Sequence, residues 1–359
     1  MEPVRTEQYK EDLKGHFAVD GRGTIFLIGL ARSGTSWLAK IFDSHPDVLY
    51  RHEPDIELRE ARLPWFCPPS DRESFFSLTK AHLEKLVNVR TLRTAGPLPV
   101  AAKRHRSAVG RILRTGLIIG LRGTEMAIGS ERWPSRVSLP DFISGRHQAD
   151  IRVVVKSVNA VGHARLFAEA WPGCRIVTIV RHPCGYVESQ LRGLALGKIS
   201  ALDPLVDLMR SPRAEKLGLT ISEPSKLSTI EQLAWEWAFL NQSMFDELSG
   251  LTRVKTIMYS DLTANPVGVA RDLFAFADLP WTKQTETFIS ESTISEAGER
   301  YFGIKRDPIQ ANNKWRNALS LTDQQRIVAI ARRVAIGRAC AGLSDYQADL
   351  VSVADVQHN

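Results

Sequence analysis

Four short runs of β-branched and aliphatic residues frame this chain: Thr24–Gly29 (TIFLIG), Ile151–Val155 (IRVVV), Arg175–Val180 (RIVTIV) and Val254–Tyr259 (VKTIMY). Each is almost continuously apolar rather than alternating, as in a strand buried on both faces, and each leads into a stretch with helical patterning. The expected fold class is therefore α/β: three layers, with a central, mostly parallel sheet between helices. The helical stretches are Ser36–Ser44, Ala160–Ala170, Pro183–Leu191, Ile230–Leu248, Pro266–Ala277 and Thr322–Arg338. Asn265-Pro266 reads as a cap followed by proline at the first helical position. Thr322 and Gln325 have the spacing of a capping box.

The expected organisation is an N-terminal extension over 1–23, one domain over 24–345 and a C-terminal tail over 346–359 that frays. A chain of 359 residues with 43% hydrophobic and 24% charged side chains can bury a core without disulfide staples. Within the domain, 62–150 is too long for one crossover helix. It carries Pro64, Pro68, Pro69, Pro97 and Pro99, then the basic run Lys103-Arg104-His105-Arg106 with Arg111 and Arg114. It reads as a helical insertion forming a lid or wall for an acceptor, or else as a solvated excursion. Gly193–Thr229 is a second candidate lid.

Four scattered cysteines, Cys67, Cys174, Cys184 and Cys340, form no CxxC pair, which fits a reducing compartment. The stretch MEPVRTEQYKEDLKGHF lacks the apolar core of a signal peptide, and no run approaches the roughly 18 apolar residues of a membrane span. A cytoplasmic protein is expected. The net charge of +7 suits an anionic ligand, a polyanion or a membrane surface. No nucleic-acid motif accompanies it, so nucleic acid is not an expected partner. The apolar and basic segment Arg111–Arg122 (RILRTGLIIGLR) suits a lipid tail or a peripheral membrane contact.

The sharpest chemical signal follows the first strand: Gly29-Leu-Ala-Arg32-Ser33-Gly34-Thr35-Ser36-Trp37. A strand, a glycine turn and a helix start gather backbone N–H groups and the positive end of the helix dipole at one point, an anion site. Gly34 lets a ligand approach the backbone, and Ser33, Thr35 and Ser36 add hydroxyl donors. The spacing is that of a nucleotide phosphate loop, but Thr35 stands where that loop needs lysine. This argues against an ATP or GTP hydrolase and against the rival reading of a nucleotide or small-molecule kinase. The cation inside the loop is Arg32.

Residues Arg32–Trp37 resemble the 5′-phosphosulfate loop of sulfotransferases that use 3′-phosphoadenosine 5′-phosphosulfate (PAPS). A second segment strengthens the resemblance. In Ile176–Ser189 a strand ends at Arg181, a helix starts at Pro183, and Ser189 lies eight residues after Arg181. This is similar to the family's 3′-phosphate site, and the planar Arg181 fork suits a phosphate. Weaker resemblances are Tyr259-Ser-Asp261-Leu262 and Lys314-Trp315-Arg316. The resemblance implies a fold like that of the P-loop nucleotide kinases, PAPS as donor cosubstrate, and transfer of a sulfuryl group to an acceptor hydroxyl. It also implies that Trp37 packs on adenine and that Lys314 and Arg316 close over the 3′-phosphate.

Arg32 is the expected catalytic cation, since arginine holds its proton and stabilises charge on the leaving phosphate. The small-molecule branch of the family places its base in a Lys-[Ser/Thr]-His segment. Here that segment is Lys156-Ser157-Val158, so the histidine is missing. The carbohydrate branch uses a glutamate soon after the loop helix, often followed by proline, and Arg51-His52-Glu53-Pro54-Asp55 resembles it. Glu53 is therefore the expected base, His52 the alternative, Asp55 a support for the acceptor, and Lys156 a second cation. The expected acceptor is a glycan or glycolipid. No HExxH, Cys/His cluster or paired-aspartate motif is present, and no metal is expected. The remaining rival is a non-catalytic nucleotide-binding protein, disfavoured because both a cation and a base are present.

Overall fold

A computed structural model describes residues 21–128, 137–144, 150–198, 208–219, 226–294 and 307–340. The expected N-terminal extension, save its last residues, and the expected tail lie outside the described residues, as does part of the second candidate lid.

Five strands form one sheet: β1 (Thr24–Ile28), β2 (Val48–His52), β3 (Arg152–Ser157), β4 (Arg175–Val180) and β5 (Val254–Met258). Their order is β2-β3-β1-β4-β5, and every pairing is parallel. The strand missing from the sequence reading is β2. Its apolar part is only Val48-Leu49-Tyr50, and it ends in Arg51-His52, which reads as a loop. The Arg51 side chain is nevertheless buried, held by Asp141 through bonds of 3.1 and 2.6 Å. That partner lies 90 residues away in sequence.

Alternate residues of each strand feed two cores. Phe26, Leu49, Val153, Val155 and Ile176 face one cluster; Ile25, Leu27, Val48, Val154 and Val177 face the other. Against the second face pack α1 (Thr35–Asp43) and, later in the chain, Pro266–Phe276 and Lys283–Ser292. Against the first pack α2 (Arg72–Leu86), α4 (Ala164–Ala170), α5 (Pro183–Ala195), α6 (Thr229–Leu248) and Leu321–Ala331, with α3 (Ala108–Ile128) standing apart. Apolar burial of this kind, at about 25 cal/mol per Å², is the main source of stability.

The caps are local. Asn265 accepts from the Gly268 N–H, as its Asn-Pro spacing suggests. The final long helix is capped by Ser320, which accepts from the Asp323 N–H at 3.1 Å, and not by Thr322, which already lies inside the helix. Ser228 and Glu231 form a full capping box on α6.

The stretch 62–150 divides in two. α2 joins the first core through Leu83 and Leu86. The remainder, with α3, buries only a small cluster of Leu92, Ile118 and Leu139. Ion pairs tie it to the rest of the domain. Lys103 binds Asp43 of α1 at 2.9 Å, where Lys40 also binds at 2.5 Å, and Asp141 pairs with Arg51 of β2 at 2.6 Å. Within the stretch, Arg114 lies 3.5 Å from the same Asp141 carboxylate and Arg106 donates to the Asp141 carbonyl. The basic run is therefore not a free polyanion-binding surface. Lys103, His105, Arg106 and Arg114 are buried; Arg104, paired with Asp47 at 3.0 Å, and Arg111 are exposed. Among the described residues no helix is long and apolar enough to cross a membrane, and no cluster of His, Cys, Asp or Glu is placed to hold a metal.

Candidate active site

The C-terminal ends of the strands share one edge of the sheet. Connections from β3 and β1, which are neighbours, leave in opposite directions, so the crevice of this open sheet lies beside β1. The loop Gly29–Gly34 leaves β1 there. Gly34 has φ 94°, and a Cβ on it would come within 2.3 Å of the Tyr259 ring, so both conformation and space demand glycine. Helix α1 starts with no side-chain cap and no acidic residue in its first turn. Its leading N–H groups have no acceptor within the helix. Ser33 is fully buried, and its hydroxyl has no hydrogen-bond partner among the described residues. A tetrahedral anion fits this set: it would supply the acceptors that the hydroxyl and the helix start require.

Arg32, at φ 72°, projects from the loop toward α5. Its Nε donates to Ser189 Oγ at 3.0 Å, across 157 residues of sequence. Arg181 Nη1 donates to the Arg32 carbonyl at 3.0 Å and Nη2 to the Ala311 carbonyl at 2.8 Å. The Arg181 guanidinium lies 5.1 Å over the Tyr259 ring. Behind it, the Trp237 indole N–H holds the Arg181 carbonyl at 2.9 Å. Arg32, Ser33, Gly34, Thr35, Ser36, Arg181 and Ser189 thus stand at one edge of the sheet. Lys314 and Arg316 are exposed beside it. Trp315, between them, stacks flat on His182, with centroids 4.4 Å apart and planes at 6°, and the Arg316 guanidinium lies 4.8 Å from the Trp315 ring. Trp37 goes elsewhere: its indole is buried in the second core and donates to Ser292 Oγ at 3.0 Å. Tyr259 and His182 were missed as site residues. The available signal was position, since each follows a strand within one or two residues.

On the other side of β1, Lys156 of β3 pairs in register with Leu27 of β1 and with His52 of β2. Adjacent strands are about 4.8 Å apart, so this group stands one strand from the loop. Lys156 Nζ binds Glu53 Oε1 directly, and Lys156 is buried rather than reaching to solvent. Glu53 has φ 46°, and its N–H donates to the Lys156 carbonyl at 2.8 Å, so backbone and side chain are both tied to β3. Burial, the largest single influence, works to raise the Glu53 pKa, but the charge and hydrogen bond of Lys156 and the other basic neighbours together outweigh it, and the group lies below the ordinary carboxylate value. His52 is pushed down to about 3 by burial and by Lys156. It is neutral at pH 7, with Nδ1 2.7 Å from the Tyr50 hydroxyl and Nε2 3.9 Å from Glu53. Asp55 accepts from Ser157 Oγ at 2.8 Å, and burial raises its pKa.

The family model described as "Sulfotransferase family" matches residues 24–283. No curated protein matches the chain. Among solved structures, the sulfotransferase domain from the curacin biosynthetic pathway is 16% identical, with 86% of this chain and 96% of that one covered and a TM-score of 0.39. The sulfotransferase domain of a Synechococcus olefin synthase is 16% identical over 87% and 96%, with a TM-score of 0.41. A mouse sulfotransferase complexed with PAP is 14% identical over 91% and 90%, with a TM-score of 0.43.

Proposed function

The chain belongs to the sulfotransferase family, and on that footing we propose that it moves a sulfuryl group from PAPS to a hydroxyl of a glycan or glycolipid. The observation that carries this reading is the pairing of two groups across β1: an uncapped helix start with the buried, unpartnered Ser33 hydroxyl on one side, and the Glu53–Lys156 pair on the other.

The loop N–H groups with Ser33, Thr35 and Ser36 hold the 5′ end of the donor, and Arg181 with Ser189 holds the 3′-phosphate. Arg32 stands between the two and offsets charge on the leaving phosphate. Lys314 and Arg316 flank the 3′ side. Trp37, committed to the core, is left without a stacking role. The acceptor oxygen bonds to sulfur, the bond from sulfur to the 5′-phosphate oxygen breaks, the hydroxyl proton passes to Glu53, and 3′-phosphoadenosine 5′-phosphate (PAP) leaves. Lys156 keeps Glu53 ionised and fixed in orientation. The domain reading of 24–345 is retained, and four buried, unbridged cysteines support a cytoplasmic setting. The glycolipid form of the acceptor draws support from α3, which exposes Ile112, Leu113, Ile119 and Met126.

Glu53→Gln is expected to leave PAP affinity unchanged and to lower sulfate transfer from PAPS by about 10²–10⁴-fold, the usual share of a general base. His52→Gln is expected to be mild. Because the Glu53 pKa is depressed, its carboxylate persists to below the ordinary value of 4.5, and the acid limb of turnover falls only below that pH. Abolition of transfer by His52→Gln, with most of it kept in Glu53→Gln, would move the base to the histidine.

A further inference from the structure

We propose that a phosphate or sulfate group, free or as a monoester, completes the ionic knot around Asp141 by lying between Arg106 and Arg114. The knot stands by the edge strand β2, two strands from the loop that follows β1. This anion site is therefore distinct from the donor site and does not rest on the sulfuryl-transfer reading. Among the described residues, five cations are buried in the knot: Lys40, Arg51, Lys103, Arg106 and Arg114. Two buried carboxylates answer them. Asp43 pairs with the two lysines, and Asp141 pairs with Arg51 and Arg114. Asp47 is taken by the exposed Arg104. Arg106 meets no carboxylate; its Nε donates to the Asp141 carbonyl at 2.8 Å. Buried charge is costly unless it is paired, so the knot carries a positive surplus that calls for an anion.

The open donors converge. Both guanidinium groups reach the stretch Leu139–Asp141. Arg106 does so through Nε alone. Arg114 does so through Nη1 alone, to the Pro140 carbonyl at 2.5 Å and the Asp141 carboxylate at 3.5 Å. Among the described residues, both Nη groups of Arg106 and the Nε and Nη2 groups of Arg114 make no hydrogen bond, and each keeps some contact with solvent. Burial pushes Arg106 down to about 9, and of its charged neighbours Arg114 contributes most to that fall, as for a cation without a counterion. His105, next in sequence, is fully buried, and neither ring nitrogen has a partner among the described residues. Burial and the Arg106 charge push it down to about 3, so at pH 7 it is neutral and keeps one N–H donor.

The helix that follows sharpens the need. α3 starts at Ala108 with no acid in its first turn, and Arg106, Arg111 and Arg114 lie at or within two turns of its positive end. Cations are unfavourable there and an anion is favoured. Ser107 and Arg111 are exposed, so the position opens to solvent. A carboxylate brings one charge and two oxygens. A phosphate brings up to two charges and at least three oxygens, which matches two arginine forks and the surplus better. This is a place for a single anion inside the knot, not a surface for a polyanion.

The test is hydrogen-exchange mass spectrometry with thermal denaturation, on the full chain saturated with PAP so that the donor site is occupied. Sodium phosphate and sodium sulfate are compared with chloride at constant ionic strength. Phosphate or sulfate is expected to slow exchange over 103–114 and, at ten times its Kd, to raise Tm by about 2–4 °C. Arg106→Gln and Arg114→Gln are each expected to weaken phosphate binding by about tenfold or more, with PAP affinity within about twofold certifying the fold. A rise in Tm without slower exchange over 103–114 in the wild type is general salt stabilisation and overturns the site, whatever the variants do. A phosphate effect that both variants keep also overturns it. Dihexanoyl phosphatidate separates the two sources. Binding tighter than that of phosphate, lost in a variant of the exposed Ile112 (Ile112→Ser), assigns a lipid headgroup, and equal or weaker binding assigns a free anion. Should PAP fail to bind, the sulfuryl-transfer reading falls, and the exchange measurement without PAP still decides this site.

Discussion

Two sets of basic residues meet opposite fates in this protein. Lys103, Arg104, His105 and Arg106 are consecutive in sequence, yet three of the four are buried in a structural knot around Asp43 and Asp141. Arg32 and Arg181 are 149 residues apart, yet they share a hydrogen bond at the rim of the sheet. Charge density along a chain is thus a poor guide to a binding surface. Attachment to a strand end is a better one, because the parallel sheet brings every strand's C-terminal end to the same edge.

The contrast can be tested most severely at Asp141. Asp141→Ala leaves Arg51 and Arg114 buried without their shared carboxylate, and is expected to destabilise the fold by about 3–5 kcal/mol in denaturant titration. A loss below about 1 kcal/mol would mean that the knot is not structural. Arg181→Ala is expected to weaken PAP binding by about 1.5–3 kcal/mol in calorimetry, the scale of a charge-assisted hydrogen bond, with a smaller effect on stability. The reverse pattern would place Arg181 with the structural set. Arg104→Ala is the mild member. Its pair with Asp47 is 53% exposed on the arginine side, so a change of about 0–1 kcal/mol in stability and none in PAP affinity is expected.

The same contrast explains what the sequence made legible. β1, β3 and β4 announced themselves because strands buried on both faces are almost wholly apolar; β5, an edge strand with only Ile257 buried, was legible from its Val254, Ile257 and Met258 alone. Gly34, Arg32, Arg181 and Ser189 were legible because each sits at a fixed offset from such a strand. β2 was not, because its last two residues are polar and Arg51 becomes tolerable inside only through Asp141, a partner no local window contains. Trp37 was misleading for a related reason. Its place in the loop motif says nothing about Ser292, 255 residues later, which takes its indole N–H into the core. The Lys156–Glu53 contact was half legible: both residues were singled out, but their pairing depends on β2 lying beside β3.

The stacking of Trp315 on His182, with the bond from Arg181 to Ala311, has a consequence for how the protein is made. The sheet's last strand ends at Met258, whereas the parts that brace the Arg181 side of the crevice come from 308–319. At about 5–20 residues per second, the ribosome delivers them roughly 3–11 s after the fifth strand. A nascent chain therefore holds the five described strands of its scaffold before it holds the residues that brace Arg181.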